Sequence, residues 1–230
     1  MSVSVDTVYQ RVLAILNKEQ RGYVTPQEFN LFANQAQMDI FEQYFYDINQ
    51  FSRIHGNDTE FSDMLNILNE KVDPFEVTGP MTYAAGHWNL LPADNLYRIG
   101  TIIHANIEAE RINKNEFLYI NASPLLKPTN NRPIFVSSAA GIKVYGAAEL
   151  TSGITCNYIK RPVTVEWDST VALGVPTYNA STSINFQLHP SEETGLVMRI
   201  LALSGVSTRE LQVYQIAAQE EAKTTQQEKS

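Results

Sequence analysis

The chain has 230 residues and a mass of 25.9 kDa, and its 43% hydrophobic content is enough for a packed core, which excludes a disordered chain. Seventeen Lys and Arg against 25 Asp and Glu leave a formal net charge of −8 and a pI near 5.0, a balance that argues against a protein whose main task is gripping phosphates. One cysteine, Cys156, rules out an internal disulfide, and its setting between Ile154 and Ile159 reads as a buried, unreactive strand residue.

From the N-terminus, Ser4 opens a predicted amphipathic helix with Val5, Val8, Tyr9, Val12, Leu13 and Leu16 on one face, ended near Gly22. A long helix follows. Thr25 can accept a hydrogen bond from the first turn, Pro26 suits the first helical position, and Glu28 can complete a capping box. Phe29, Phe32, Ala33, Ala36, Ile40, Phe41, Tyr44, Ile48 and Phe51 then recur at helical steps. Leu31, Met38 and Phe45 form a second apolar line at seven-residue steps on nearly the opposite side, and Tyr46 falls outside both lines. These four, Leu31, Met38, Phe45 and Tyr46, are the candidate subunit interface, because a helix apolar on two sides needs a partner on each. Asn57 or Asp58 can cap a third helix carrying Phe61, Met64, Leu65, Leu68 and Val72, which Asp73-Pro74 terminates.

Beyond Pro74 the pattern changes to short strands separated by turn chemistry: Met81–Tyr83, His87–Leu91, Tyr97–Ala105, Ile134–Val136, Gly141–Tyr145 and Ile154–Ile159. Asn115 to Leu125 reads as a short helix and residues 163–185 as irregular. Ser191 can start a last strong helix through Leu196, Val197, Ile200 and Leu201, with Ser204-Gly205 as its break and Thr208 opening another. The predicted fold class is therefore α+β: a helical bundle built from N- and C-terminal helices (1–74 and 187–222) with an inserted antiparallel β domain (75–186) and a flexible tail (223–230).

Signatures of catalysis are missing from the residue order. Gly141-Ile-Lys-Val-Tyr-Gly146 has the glycine spacing of a phosphate loop, but Ala147-Ala148 stand where Lys and Ser or Thr are needed. His55, His87, His104 and His189 are scattered, with no pair at metal-binding helical spacing. There is no serine-nucleophile elbow and no calcium-loop series. The expectation is a protein that is not an enzyme, with no catalytic, cofactor-binding or metal residues and no cofactor. No window reaches about 18 consecutive apolar residues and no basic leader precedes an apolar run, which predicts neither membrane spanning nor export.

Three stretches carry a resemblance: residues 11–41 around Gly22-Tyr-Val-Thr-Pro-Gln-Glu-Phe29, Tyr158-Ile-Lys-Arg-Pro-Val-Thr-Val-Glu-Trp167, and Phe186-Gln-Leu-His-Pro-Ser-Glu-Glu-Thr-Gly-Leu-Val197. Together they resemble virion structural proteins of short-tailed bacteriophages, including crAss-like phages, of the neck or connector ring type. That resemblance implies a ring-forming head-to-tail connector (adaptor) subunit, a dodecameric homo-oligomer that links the portal protein to tail or other neck proteins. Genomic DNA would pass through its lumen without sequence-specific binding. It would be made in the host cytoplasm, reside in the neck or tail of the virion and have no membrane partner. None of the stretches is a catalytic signature, and no functional residue carries over. Two other classes stay open: a ligand- or carbohydrate-binding tail module using exposed aromatics such as Trp88 or Trp167, and a virion-associated hydrolase gathering His87 or His104 with carboxylates.

Overall fold

The computed structural model describes residues 2–18, 24–53, 59–90, 95–172, 175–207, 219 and 223. The helices in these residues are α1 (Val5–Lys18), α2 (Pro26–Arg53), α3 (Thr59–Val72), α4 (Lys114–Ala122) and α5 (Glu193–Ser207). The strands are β1 (Glu76–Ala84), β2 (His87–Leu90), β3 (Leu96–His104), β4 (Ile107–Glu108), β5 (Glu110–Arg111), β6 (Ile134–Ser138), β7 (Gly141–Tyr145), β8 (Ile154–Lys160), β9 (Ser169–Ala172) and β10 (Val175–Tyr178). They fall into two compact units, Met1–Pro74 with Pro162–Ser230, and Phe75–Arg161.

In the first unit, local chemistry sets the helix starts. The Ser4 hydroxyl accepts from the Thr7 N–H at 3.4 Å and the Asn185 side chain accepts from the Val5 N–H at 3.0 Å, so two orphan donors of α1 are satisfied. At the head of α2 the Glu28 carboxylate accepts from the Thr25 N–H at 3.0 Å and from its hydroxyl at 2.8 Å, while the Thr25 hydroxyl accepts from the Glu28 N–H at 3.3 Å. Both α1 and α2 pack on α5 through apolar stripes: Val5, Val8, Val12 and Leu16 from α1, Phe29, Ala33, Ala36, Ile40 and Phe41 from α2, and Leu196, Ile200 and Leu201 from α5 are all buried. The helix α5 runs straight through Ser204-Gly205, where the sequence suggested a break. Its buried Ser204 hydroxyl donates to the Leu201 carbonyl at 2.9 Å, so the polar group is satisfied without ending the helix. The expected helix from Thr208, the caps at Asn57 or Asp58 and nearly all of the tail lie outside the described residues.

The second unit holds one eight-stranded sheet in the order β4-β3-β8-β1-β2-β7-β6-β5. Two devices curl it. First, β1 changes partner midway: Glu76 to Pro80 pair with β8, then Met81 to Ala84 pair with β2, and Pro80, which has no N–H to give, stands at the handover. Second, the two edge strands are consecutive pieces of one extended stretch interrupted only by Ala109, whose N–H donates to the Ile102 carbonyl at 2.8 Å. The sheet edges therefore meet through a single residue, and the sheet is nearly closed like a barrel. Its interior is Met81, Trp88, Leu90, Ile102, Ala109, Phe135, Ile142, Val144, Ile154 and Cys156. Two-residue turns at Ala85-Gly86 and Ala105-Asn106, all four with positive φ, join β1 to β2 and β3 to β4.

The expected architecture, a helical bundle with an inserted antiparallel β domain, is corrected on three points. The sheet is a large, nearly closed structure in its own right. It is also mixed, because β5 and β6 run parallel. A parallel pair requires a crossover of a dozen or more residues, and α4 with its flanking loops supplies it; the short helix was visible in the sequence, but not the strand geometry it serves. Finally, the sequence pattern puts residues 162–186 in the β insert, whereas the chain re-enters the helical unit at Pro162 and places there an extended segment and the β9–β10 hairpin.

Candidate functional site

Helix α2 organises the first unit because its faces do different work. One face carries Asn30, Asn34 and Gln37, and each carboxamide grips the main chain of the returning segment. The Asn30 amide donates to the Trp167 carbonyl at 3.2 Å and its oxygen accepts from the Trp167 N–H at 2.8 Å. Asn34 repeats this with Val165, at 2.9 and 2.7 Å. Gln37 donates to the Val163 carbonyl at 2.9 Å and accepts from the Gln187 N–H at 3.1 Å, and the Gln187 side chain in turn accepts from the Val163 N–H at 3.2 Å. Geometry explains the match. Four residues of helix advance about 6 Å and two residues of strand about 6.6 Å, so helical steps of three and four keep pace with alternate residues of an antiparallel extended segment. Trp167 anchors the end of the clamp: it is buried, its indole N–H donates to Asp6 at 3.0 Å, and Tyr9 lies 4.4 Å away, centroid to centroid.

The sequence-derived interface residues lie on the side of α2 away from its buried apolar stripe, about a quarter turn from the clamp face and within an arc of about 100°. Leu31 is 71% exposed and Tyr46 63% exposed, whereas Met38 and Phe45 are half-buried. The Phe45 ring meets buried Phe41 edge-on at 5.0 Å. The four therefore share a helix side, with the two ends of the set outermost.

A second exposed apolar surface was not singled out by sequence. It lies on the 75–161 unit, where α4 and the turn after it expose Leu118 (72%), Tyr119 (78%), Leu125 (93%) and Leu126. Helix α4 buries no residue fully, so its apolar residues make no core stripe that a periodicity search could recognise.

The same unit contains a pocket of about 270 Å³ to which His87, Lys114 and Lys143 contribute. The imidazole of His87 faces the Ala85 carbonyl at 3.1 Å through Nδ1, which must carry the proton there because a carbonyl only accepts. His104 contacts the Gly153 carbonyl at 3.3 Å, and His189 contacts the Ser191 hydroxyl at 2.9 Å and accepts from the Ser191 N–H at the turn before α5. The pocket brings His87 together with lysines rather than carboxylates, and no group of three His, Cys, Asp or Glu suited to a metal occurs among the described residues. Of the phosphate-loop-like glycine pair, Gly141 is the first residue of strand β7 and Gly146 follows its last. No helix among the described residues is long and apolar enough to cross a membrane.

Compared with known proteins, the chain matches no family profile, and no curated protein matches it.

Proposed function

We propose that the chain is a virion structural protein, a ring-forming head-to-tail connector subunit that links portal to tail and surrounds the DNA channel. The resemblance supporting this reading rests on stretches that interact. Asn30, Asn34 and Gln37 belong to the first stretch, Val163, Val165 and Trp167 to the second and Gln187 to the third, and the clamp joins them. In this chain the three stretches therefore form one arrangement rather than three unrelated strings.

The observation that carries the proposal is the pair of exposed apolar surfaces, one on each unit: Leu31 and Tyr46 on α2, and Leu118, Tyr119 and Leu125 at α4. A closed ring is built by heterologous contact, in which each subunit offers two unlike surfaces, whereas a two-fold dimer uses one surface twice. The acidic chain also suits a conduit that must let a phosphate backbone slide rather than hold it. The sugar-binding alternative gains no support from tryptophan, since Trp88 and Trp167 are each 3% exposed and offer no free face.

Light scattering over a wide concentration range, with negative-stain images of large species, is the test, run with and without a portal ring as template. Closed rings are the expected result. Leu31→Asp and Leu125→Asp variants that keep their circular dichroism but fail to assemble would locate the two contact surfaces. A chain that remains monomeric both alone and on a portal template would overturn the reading.

A further inference from the structure

The pocket of the 75–161 unit is built between α4 and the outer face of the β6–β7 hairpin. Along β7 the core-facing Ile142 and Val144 alternate with Lys143 and Tyr145, which therefore stand on the outer face, and register sets Val136 directly opposite Lys143. Lys114 and Phe117, one helical step apart at the start of α4, provide the opposite wall. The Phe117 and Tyr145 rings lie 4.5 Å apart, tilted by 31°, and close one side.

The chemistry of this lining is one-sided. Lys114 makes no ion pair among the described residues. Lys143 has a carboxylate nearby, but Glu149 stands 3.7 Å away, beyond hydrogen-bond length, and also accepts from the Tyr83 hydroxyl at 3.2 Å. Among the described residues, no carboxylate lines the pocket itself. In a chain of net charge −8, two lysine side chains thus line a concave site that also has an aromatic wall. The Ser138 hydroxyl already donates to the Gly141 carbonyl at 2.8 Å, which leaves its oxygen to accept.

We propose that this pocket binds a phosphate monoester carried on a single planar ring. A monoester carries a charge of about −1.5 to −2 at neutral pH, which two lysines balance. The ring lies against Phe117 and Tyr145, where aromatic stacking adds to the electrostatic attraction. Size selects within that class: about 270 Å³ falls just below the ~300–1,000 Å³ of pockets for drug-sized ligands, so one ring and one phosphate fit and a dinucleotide does not. Its wall residues Lys114 and Phe117 share α4 with Leu118 and Tyr119 of the ring reading, so occupancy is measured on the unassembled chain.

Isothermal titration calorimetry of the full chain with phenyl phosphate tests the proposal, with inorganic phosphate, benzoate and phenol as partial ligands. The expected result is one saturable site per chain for phenyl phosphate, with each partial ligand weaker by about tenfold or more. Lys114→Gln and Lys143→Gln should each weaken binding about tenfold, while Glu149→Gln, which removes the competing carboxylate, should tighten it several-fold. These side chains are partly or largely exposed, so unchanged circular dichroism is expected for each variant. Absence of saturable heat at millimolar phenyl phosphate, lysine variants that bind like the parent, or phenol binding as tightly as phenyl phosphate would each overturn the proposal.

Discussion

In the unit formed by residues 1–74 and 162–230, the stretch 163–167 is held by carboxamide side chains of a helix; in the 75–161 unit, extended segments are held by the backbones of other strands. Both solve the same problem, since a buried backbone N–H or C=O without a partner costs more than a hydrogen bond contributes. The clamp concentrates the solution in three residues, whereas the ladder spreads it over every residue of a strand. A single substitution should therefore damage the clamp much more than the ladder.

Gln37→Leu makes the sharpest break. Gln37 is 1% exposed and both ends of its amide are bonded to main chain, so leucine would leave the Val163 carbonyl and the Gln187 N–H without their side-chain partner. A loss of about 3 kcal/mol is expected, read as a lower denaturant midpoint, with hydrogen exchange accelerating at Val165 and Trp167. If exchange there stays as slow as in the parent, the clamp does not hold the segment.

The barrel has its own point of failure where a backbone, not a side chain, is constrained. Gly141 has φ +134°, and a Cβ at this position would stand 2.8 Å from the Asn89 side-chain oxygen and 3.0 Å from the Trp88 carbonyl. Gly141→Ala should cost roughly 2 kcal/mol and loosen the β6–β7 hairpin, again by denaturant midpoint. A neutral result would mean that β2 and β7 can separate locally at little cost.

Cys156 reports on the closed barrel without disturbing it. It is 0% exposed, and burial pushes its thiol from the ordinary 9.0 up to about 11 against a weaker opposing pull from the Gly100 backbone. At pH 8 the native thiolate fraction should be about a hundredfold lower than in the unfolded chain, so a disulfide reagent should label the native protein at least that much more slowly. Equal rates would mean that the barrel opens freely.

Sequence made the two regions legible to different degrees. The capping box of Thr25 and Glu28, the buried stripe of α2 and the alternation of β7 follow from local rules, and the structure contains each. Asn30, Asn34 and Gln37, by contrast, look like any polar residues on a helix, because their partners lie 126 to 150 residues away and main-chain partners leave no side-chain pattern to find. Barrel closure was equally hidden. It depends on one alanine between two strand fragments of two residues each, which is shorter than any period can reveal. The pocket draws Lys114, Val136 and Lys143 from three elements, so no motif spacing links them, whereas Leu31 and Tyr46 stand out in the sequence because each lies off the main apolar stripe of a strongly patterned helix.

The smallest expected effect separates the two regions by pH. In the helical unit the Thr25 N–H and, to a lesser extent, the Thr25 hydroxyl hold the Glu28 carboxyl below its ordinary 4.5. The folded state therefore binds this proton less readily than the unfolded state, and the cap's contribution is complete above 4.5 and lost as pH falls through the lowered folded value. In the barrel the sign is reversed: burial raises both Tyr83 and Cys156, Tyr83 also being raised by Glu149, so their contributions hold below their ordinary values and are lost on the alkaline side. Glu28→Gln isolates the acid-side term. Asp39, which burial raises, is present in both chains and cancels from their difference. Thermal denaturation across acidic pH should show the parent slightly more stable than Glu28→Gln above 4.5, with the gap closing as the carboxyl is protonated. A gap that stays constant with pH would mean that the variant loses only hydrogen-bond shape and that the charge on Glu28 adds nothing to the start of α2.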